Sequence, residues 1–319
     1  IYSPSGRNSC LGRVGSLCIS TMVRKELYRL KRLVIWCCGH WQLFSGGLGF
    51  EFFGSSENRF SIGAYLANPN RCSMSLHNTF NCDGYVSVRA FYNVRELGEI
   101  EKVLENFTTI RLPSLPPEHV YFEDINNPAS LKQIQKLHEH ESFFEKLMHD
   151  RPLALAQELL GEPVIGKNLQ YFNKPAGIGQ ATPAHQDGYY FMLEPCRALT
   201  MWLALDKVDE VNGCVRYVSG SHLQGLRPHS RTETLGFSQG ITNYEDKDLK
   251  NERACIASPG DLLAHHALTI HRADSNQSDS RNRRALGFVF YGKSAKEDSI
   301  AHASYQRKLT QEMTAQGKI

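Results

Sequence analysis

The stretch "ATPAHQDGYYF" (residues 181–191) sets His185 and Asp187 two apart among prolines, small residues and aromatics. In an extended strand such residues project from one face, so the two side chains point together while Gln186 points away. An imidazole and a carboxylate on one face are two metal donors, and a metal centre needs more. The side chains able to complete the set lie in "DLLAHHALTIH" (261–271): His265, His266 and His271. His271 ends that run just before the polar loop "RADSNQSDSRN" (272–282), where a strand mouth would open. It is the third ligand on this reading, with His265 and His266 assigned to structure or to the rim. Two imidazoles and one carboxylate, with coordination positions left open, suit non-haem Fe(II) and leave room for a bidentate cosubstrate and O2.

A cation to receive such a cosubstrate stands in "RNRRALGFVFYG" (281–292). As a strand, this run puts Arg283, Ala285, Gly287, Val289 and Tyr291 on one face and Arg284, Leu286, Phe288 and Phe290 on the other. The small residues beside Arg283 predict space for a small dicarboxylate held by a two-pronged contact. The opposite face predicts packing against helices. "RALTMWLALD" (197–206) divides in the same way, with Leu199, Met201, Leu203 and Leu205 on one side and Thr200, Trp202 and Ala204 on the other. With "PVIGKNLQYFN" (163–173) and "CVRYVSG" (214–220), these short runs between turn residues predict an antiparallel sandwich or barrel.

Upstream, "DGYVSVRAF" (83–91) alternates like a strand, and "VRELGEIEKVLENF" (94–107) spaces Leu97, Ile100, Val103, Leu104 and Phe107 along one helical face. Residues 130–150 and 151–161 read as two further helices, the second with Pro152 in its first turn and Gly161 as its stop. The core domain is expected over 76–310, with 311–319 as a tail. Residues 1–75 are Arg-rich, nearly free of acids and without a period. They read as a non-core extension, either a targeting segment or sequence upstream of a start at Met74.

The 319 residues, 41% hydrophobic and 22% charged, are enough for a real buried core. A formal net charge of +3 is too mild to imply nucleic acid, which leaves a small-molecule partner and a monomer or homodimer. The nine cysteines form no CxxC pair and no secreted-type framework, so reduced thiols in the cytoplasm, or in an organelle reached through the N-terminal segment, are expected. The longest apolar run, "LVIWCCGHWQLF" (33–44), is far short of the roughly 20 residues a membrane span needs.

Four ordered stretches, "NKPAGIGQATPAHQDGYYF", "NGCVRYVSGSHLQGLRPH", "PGDLLAHHALTIH" and "NQSDSRNRRAL", give the chain from about 80 to 300 a resemblance. It resembles the phytanoyl-CoA dioxygenase family of Fe(II)- and 2-oxoglutarate-dependent oxygenases. The resemblance implies a mainly β fold with flanking helices, the cupin-like double-stranded β-helix or jelly roll. It also implies Fe(II) on His185, Asp187 and His271, 2-oxoglutarate on Arg283, and hydroxylation of a substrate by O2 with release of succinate and CO2. Gln170 falls where the family places residues facing the iron, and its amide is a candidate for the cosubstrate or the substrate, or else a partly exposed strand amide. Asp187, where the related halogenases have Ala or Gly, argues against chloride binding.

Departures from the family pattern mark positions to inspect. Arg272-Ala273 follow His271 where the family often has Gly-Ser, so a hydroxyl that helps hold the cosubstrate is absent there. Arg283 lies twelve residues past His271, one more than is usual, and Arg281 is its rival. No distinctive CoA-binding feature is present, so the family's name does not give the substrate. Tyr189, Tyr190 and Phe191 either line the substrate mouth or close the barrel, and Trp202 projects inward with Thr200. His222 and Asn212-Gly213 fit turns better than chemistry. The alternative to a hydroxylase is a catalytically inactive jelly-roll metal-binding or sensor protein.

Overall fold

The computed structural model describes residues 75–319 except 233, 235–238, 316, 318 and 319. The expected N-terminal extension, with its targeting or upstream-start reading, lies outside the described residues.

The strands, in chain order, are β1 (Tyr85–Val88), β2 (Val120–Phe122), β3 (Leu131–Ile134), β4 (Val164–Lys174), β5 (Thr182–His185), β6 (Leu193–Glu194), β7 (Ala198–Ala204), β8 (Val215–Val218), β9 (His229–Arg231), β10 (Gln239–Ile241), β11 (Glu252–Cys255), β12 (Leu262–His266), β13 (His271–Ala273), β14 (Arg283–Gly292) and β15 (Lys296–Glu297). The helices are α1 (Leu76–Asp83), α2 (Val94–Ile110), α3 (Leu137–His140), α4 (Ser142–His149), α5 (Arg151–Leu160), α6 (Gly188–Phe191), α7 (Asp246–Asn251) and α8 (Ser299–Ala315). A seven-stranded sheet runs β1-β12-β7-β14-β4-β3-β2, and a four-stranded sheet runs β11-β8-β13-β5. Both are antiparallel and enclose one cavity, the double-stranded β-helix.

The two-faced strands explain the layering. Leu199, Met201 and Leu203 of β7 and Leu286, Phe288 and Phe290 of β14 pack in one core with Leu97, Ile100 and Phe107 of α2 and Leu155 and Leu159 of α5. Each such side chain contributes about 1.5–3 kcal/mol on full burial. The other faces, with Trp202, Ala204 and Ala285, pack between the sheets. Asn93 caps α2 in a capping box with Glu96, and Gly161 ends α5 in the left-handed conformation at φ 69°.

Three expectations are corrected. The segment 130–150 is not helical throughout, because Leu131–Ile134 forms β3 and hydrogen-bonds with β2 and β4 before Lys136 turns the chain at φ 58°. Tertiary pairing overrides the helical period there. The run 261–271 is two strands in different sheets, β12 and β13, joined by a turn in which Thr269 N donates to His266 O at 2.8 Å. The boundary expected at 310/311 falls inside α8, whose Met313 is buried.

Candidate active site

His185 ends β5, and its Nδ1 donates to Pro183 O at 2.8 Å. His271 opens β13 directly opposite His185, and its Nδ1 donates to Thr269 O at 3.0 Å. An imidazole held this way turns the Nε2 lone pair toward the centre. Asp187 arrives by a route different from the one expected. It lies beyond the strand in helical conformation, φ −58° and ψ −32°, so the shared face of a period-2 strand is not what pairs it with His185.

The cause of the bend is Gln186, which is fully buried. Its Nε2 donates to Gly225 O (2.9 Å) and Leu268 O (2.7 Å), and its Oε1 accepts from Arg227 N (2.8 Å). Gly188 then passes so close to Cys196 that an added Cβ would lie 2.6 Å from Sγ. The turn returns Asp187 Oδ1 to 3.5 Å from His185 Nε2 and 3.6 Å from His271 Nε2.

The carboxylate's outer oxygen is held separately. Thr200 Oγ1 donates to Asp187 Oδ2 at 2.5 Å, and His265 Nε2 donates to the same atom at 3.1 Å. The Tyr217 hydroxyl lies 3.1 Å from His265 Nδ1, which it serves as donor. His265 is therefore neither a ligand nor a rim residue but the support of one. Burial pushes the Asp187 carboxyl up, but the imidazoles of His271, His185 and His265 outweigh it and hold it well below the usual carboxylate range. Burial, with His185 and His265 close by, pushes His271 well below the usual imidazole range.

One ligand atom from each of His185, Asp187 and His271 lies within 4.8 Å of the others. Two imidazole lone pairs and a carboxylate oxygen converging on one point repel each other unless a cation sits among them. Donors each ~2.1 Å from a shared ion stand roughly 3–3.5 Å apart, and the two Asp187 separations of 3.5 and 3.6 Å are close to that, so the donor set fits a divalent metal.

The cavity, about 750 Å³, continues from this cluster in two directions. At the deep end Arg283 is buried, with its guanidinium carbon 5.0 Å from the centre of the Trp202 ring. Its Nη1 reaches Gly213 O at 3.4 Å, and no described carboxylate bonds it. Burial lowers it to about 10. Arg281 is committed elsewhere, to a two-pronged pair with Asp209 at 2.8 and 3.0 Å. The space expected over Gly287 is partly filled, since a Cβ there would meet Phe172 at 2.6 Å and Gln170 at 3.2 Å. Gln170 lines the cavity and accepts from Gln133 Nε2 at 2.9 Å.

Toward the mouth, Tyr190 and Phe191 line the cavity with Tyr291 and Tyr305. Tyr189 does not line it and stacks on His229 at 4.5 Å instead. The Tyr190 hydroxyl donates to Gln239 O at 2.9 Å, tying the β9–β10 hairpin down. His222 donates to Asn81 O at 3.1 Å, and Asn212 donates to Lys207 O at 2.8 Å. Both hold turns outside the cavity.

The sequence assigns His265 to structure or the rim but does not show its bond to Asp187, and it gives no role to Lys174, Thr182 or the α8 face that borders the mouth. Alternation along β12, which sends Leu263 and His265 inward together, was the available signal for His265.

A family model described as phytanoyl-CoA dioxygenase (PhyH) matches residues 80–285. A Bos taurus protein named "Phytanoyl-CoA dioxygenase, peroxisomal" is 28% identical over 177 residues, 53% of this chain and 51% of the relative. An Arabidopsis thaliana protein named "Phytanoyl-CoA dioxygenase" is 31% identical over 153 residues, 47% of this chain and 52% of the relative. The chain thus spans about half the length of these curated relatives. Among solved structures, the non-heme alpha-ketoglutarate-dependent epimerase SnoN from nogalamycin biosynthesis superposes with TM-score 0.54 at 23% identity, covering 69% of this chain and 82% of that one. That likeness carries the jelly-roll fold.

Proposed function

Since the chain belongs to the phytanoyl-CoA dioxygenase family, we propose that it is an Fe(II)- and 2-oxoglutarate-dependent dioxygenase that hydroxylates a small or medium organic substrate. The observation that carries this reading is the presence in one cavity of the His185, Asp187, His271 cluster and a buried arginine, Arg283, with no carboxylate bonded to it.

His185, Asp187 and His271 would hold the iron, with Thr200 and His265 fixing Asp187 so that Oδ1 faces it. The bound iron supplies a centre where O2 and the 2-oxo acid react to give succinate, CO2 and an oxidant for the substrate. Arg283 holds the distal carboxylate against the Trp202 face, and Gln170 offers its amide beside it. A guanidinium buried without an acid is costly until an anion joins it, and this favours a dianionic cosubstrate. At the mouth Tyr190, Phe191 and Tyr291 orient the substrate and exclude water.

Among the described residues no helix is long and apolar enough to cross a membrane. We place the protein in the cytoplasm or an organelle, because the cysteine pattern of the sequence has no secreted-type framework. The test is anaerobic titration of the full chain with Fe(II) and 2-oxoglutarate, followed by its metal-to-ligand absorption band, and then succinate release under O2. A band with succinate is expected. A band without succinate would point to a binding protein, and no band would remove the enzyme reading.

A further inference from the structure

At the deep end of the cavity two cations face each other. Arg283 on β14 stands directly across from Lys174 on β4 in antiparallel register, and both line the cavity. Their exposures are only 6% and 3%. Like charges directly opposite on a sheet are destabilising, and more so where water is excluded.

Neither side chain is bonded to a carboxylate among the described residues. Lys174 Nζ donates to Gln180 O and, at 3.3 Å, to Thr182 Oγ1. The ammonium thus keeps one donor in hand. Arg283 Nε is buried with no hydrogen-bond partner. Lys132, the next cation along this wall, has its own Glu123 at 3.1 Å. Burial, then Arg283 and Lys132, push Lys174 well below the usual lysine range despite the pull of Glu123 and Asp274. The facing pair, buried on opposite strands with no carboxylate bonded to either, is a charge repulsion that the fold maintains at a cost.

Thr182 adjoins the pair. On β5 it lies across from Ala273, where the chain carries no hydroxyl after His271. Its oxygen accepts from Lys174, so its own hydrogen is free to donate into the cavity it lines.

We propose that Lys174 and Thr182 join Arg283 in a three-point cradle for the distal carboxylate of the cosubstrate. This rests on the 2-oxoglutarate reading above and adds to it a source of selectivity. A 2-oxo dicarboxylate reaches the cradle, and a 2-oxo monocarboxylate does not.

The test compares 2-oxoglutarate with 2-oxobutyrate, which chelates alike but lacks the far carboxylate, by calorimetric titration of the Mn(II)-loaded full chain. Lys174→Met should weaken 2-oxoglutarate about 10- to 100-fold, the range for a hydrogen bond to a charged group, and leave 2-oxobutyrate unchanged. Thr182→Val, close to isosteric and so safe for the fold, should weaken 2-oxoglutarate about fivefold with the same selectivity. Glutarate added to the metal-free chain should raise its melting temperature, and less so in Lys174→Met. The cradle is overturned if 2-oxoglutarate binds both variants as it binds the wild type, or if the two acids weaken in parallel. A wild-type chain that binds Mn(II) but not 2-oxoglutarate overturns the proposed function itself.

Discussion

The two ends of the cavity are built on different principles. At the metal end, Pro183 O, Thr269 O, Thr200, His265 and Tyr217 each fix one atom of a ligand or of its support. At the mouth, α8 is held by an ion pair of Glu312 with Arg231, by His302 Nδ1 at 3.1 Å from Glu297, and by Tyr305 edge-on to Tyr190 at 6.4 Å. The first set is buried and directional, whereas the second is surface charge and ring contact. Chemistry that needs donors placed within a fraction of an ångström belongs at the first. A wall that must admit, select and release a substrate belongs at the second.

The sharpest way to break this comparison is Asp187→Ala. It removes a ligand and leaves the Thr200 and His265 donors aimed at nothing, so metal content after Fe(II) reconstitution and succinate release should both fall to background. If iron stays bound and succinate is still released, the metal end is not where this cluster lies. Next in size is Arg283→Ala, which should raise the 2-oxoglutarate dissociation constant about 100-fold or more, as truncations of buried charge partners do. Arg281→Ala, which breaks only the pair with Asp209 and touches no residue of the cavity lining, should leave it nearly unchanged. The reverse pattern would move the cosubstrate anchor to Arg281.

His265→Phe keeps the ring volume and removes one donor from Asp187. Removal of such an outer partner typically costs 10–100-fold in metal affinity. A competitive Mn(II) titration should show that loss, with the 2-oxoglutarate constant of the fully loaded protein altered far less. Unchanged Mn(II) affinity would mean that Thr200 alone orients the carboxylate.

The same contrast governs what the sequence could reveal. The faces of β7 and β14 were legible because each strand is buried on both sides, and period 2 separates helix-facing leucines from cavity-facing Trp202 and Arg283. His185, Asp187 and His271 stand out by residue type and position, yet the fold joins them through a bend set by Gln186, a long-range bond pattern that no local period encodes. Lys132 and Gln133, consecutive on β3, both border the cavity, and two polar residues in a row break the apolar alternation that would have marked it as a strand. Helix α8 buries Met313 alone, leaving no apolar stripe to detect, although His302, Tyr305 and Leu309 share a face at helical spacing and line the mouth.

That face yields the smallest expected effect. Residues 299–315 lie beyond residues 80–285, the part of the chain matched by the family model. Tyr305→Ala would remove the ring that meets Tyr190. Aromatic pairs of this kind contribute about 0.5–1.5 kcal/mol, equivalent to roughly two- to tenfold in an equilibrium constant. Metal and 2-oxoglutarate constants should not move, because the deep end does not depend on α8. Succinate released without any added substrate should rise by a few fold as the mouth admits water, and the substrate KM should rise within the same two- to tenfold range. If Tyr305→Ala instead weakened metal or 2-oxoglutarate binding as much as His265→Phe or Lys174→Met, the two ends would be one cooperative unit. Selection at the mouth would then be inseparable from the chemistry beneath it.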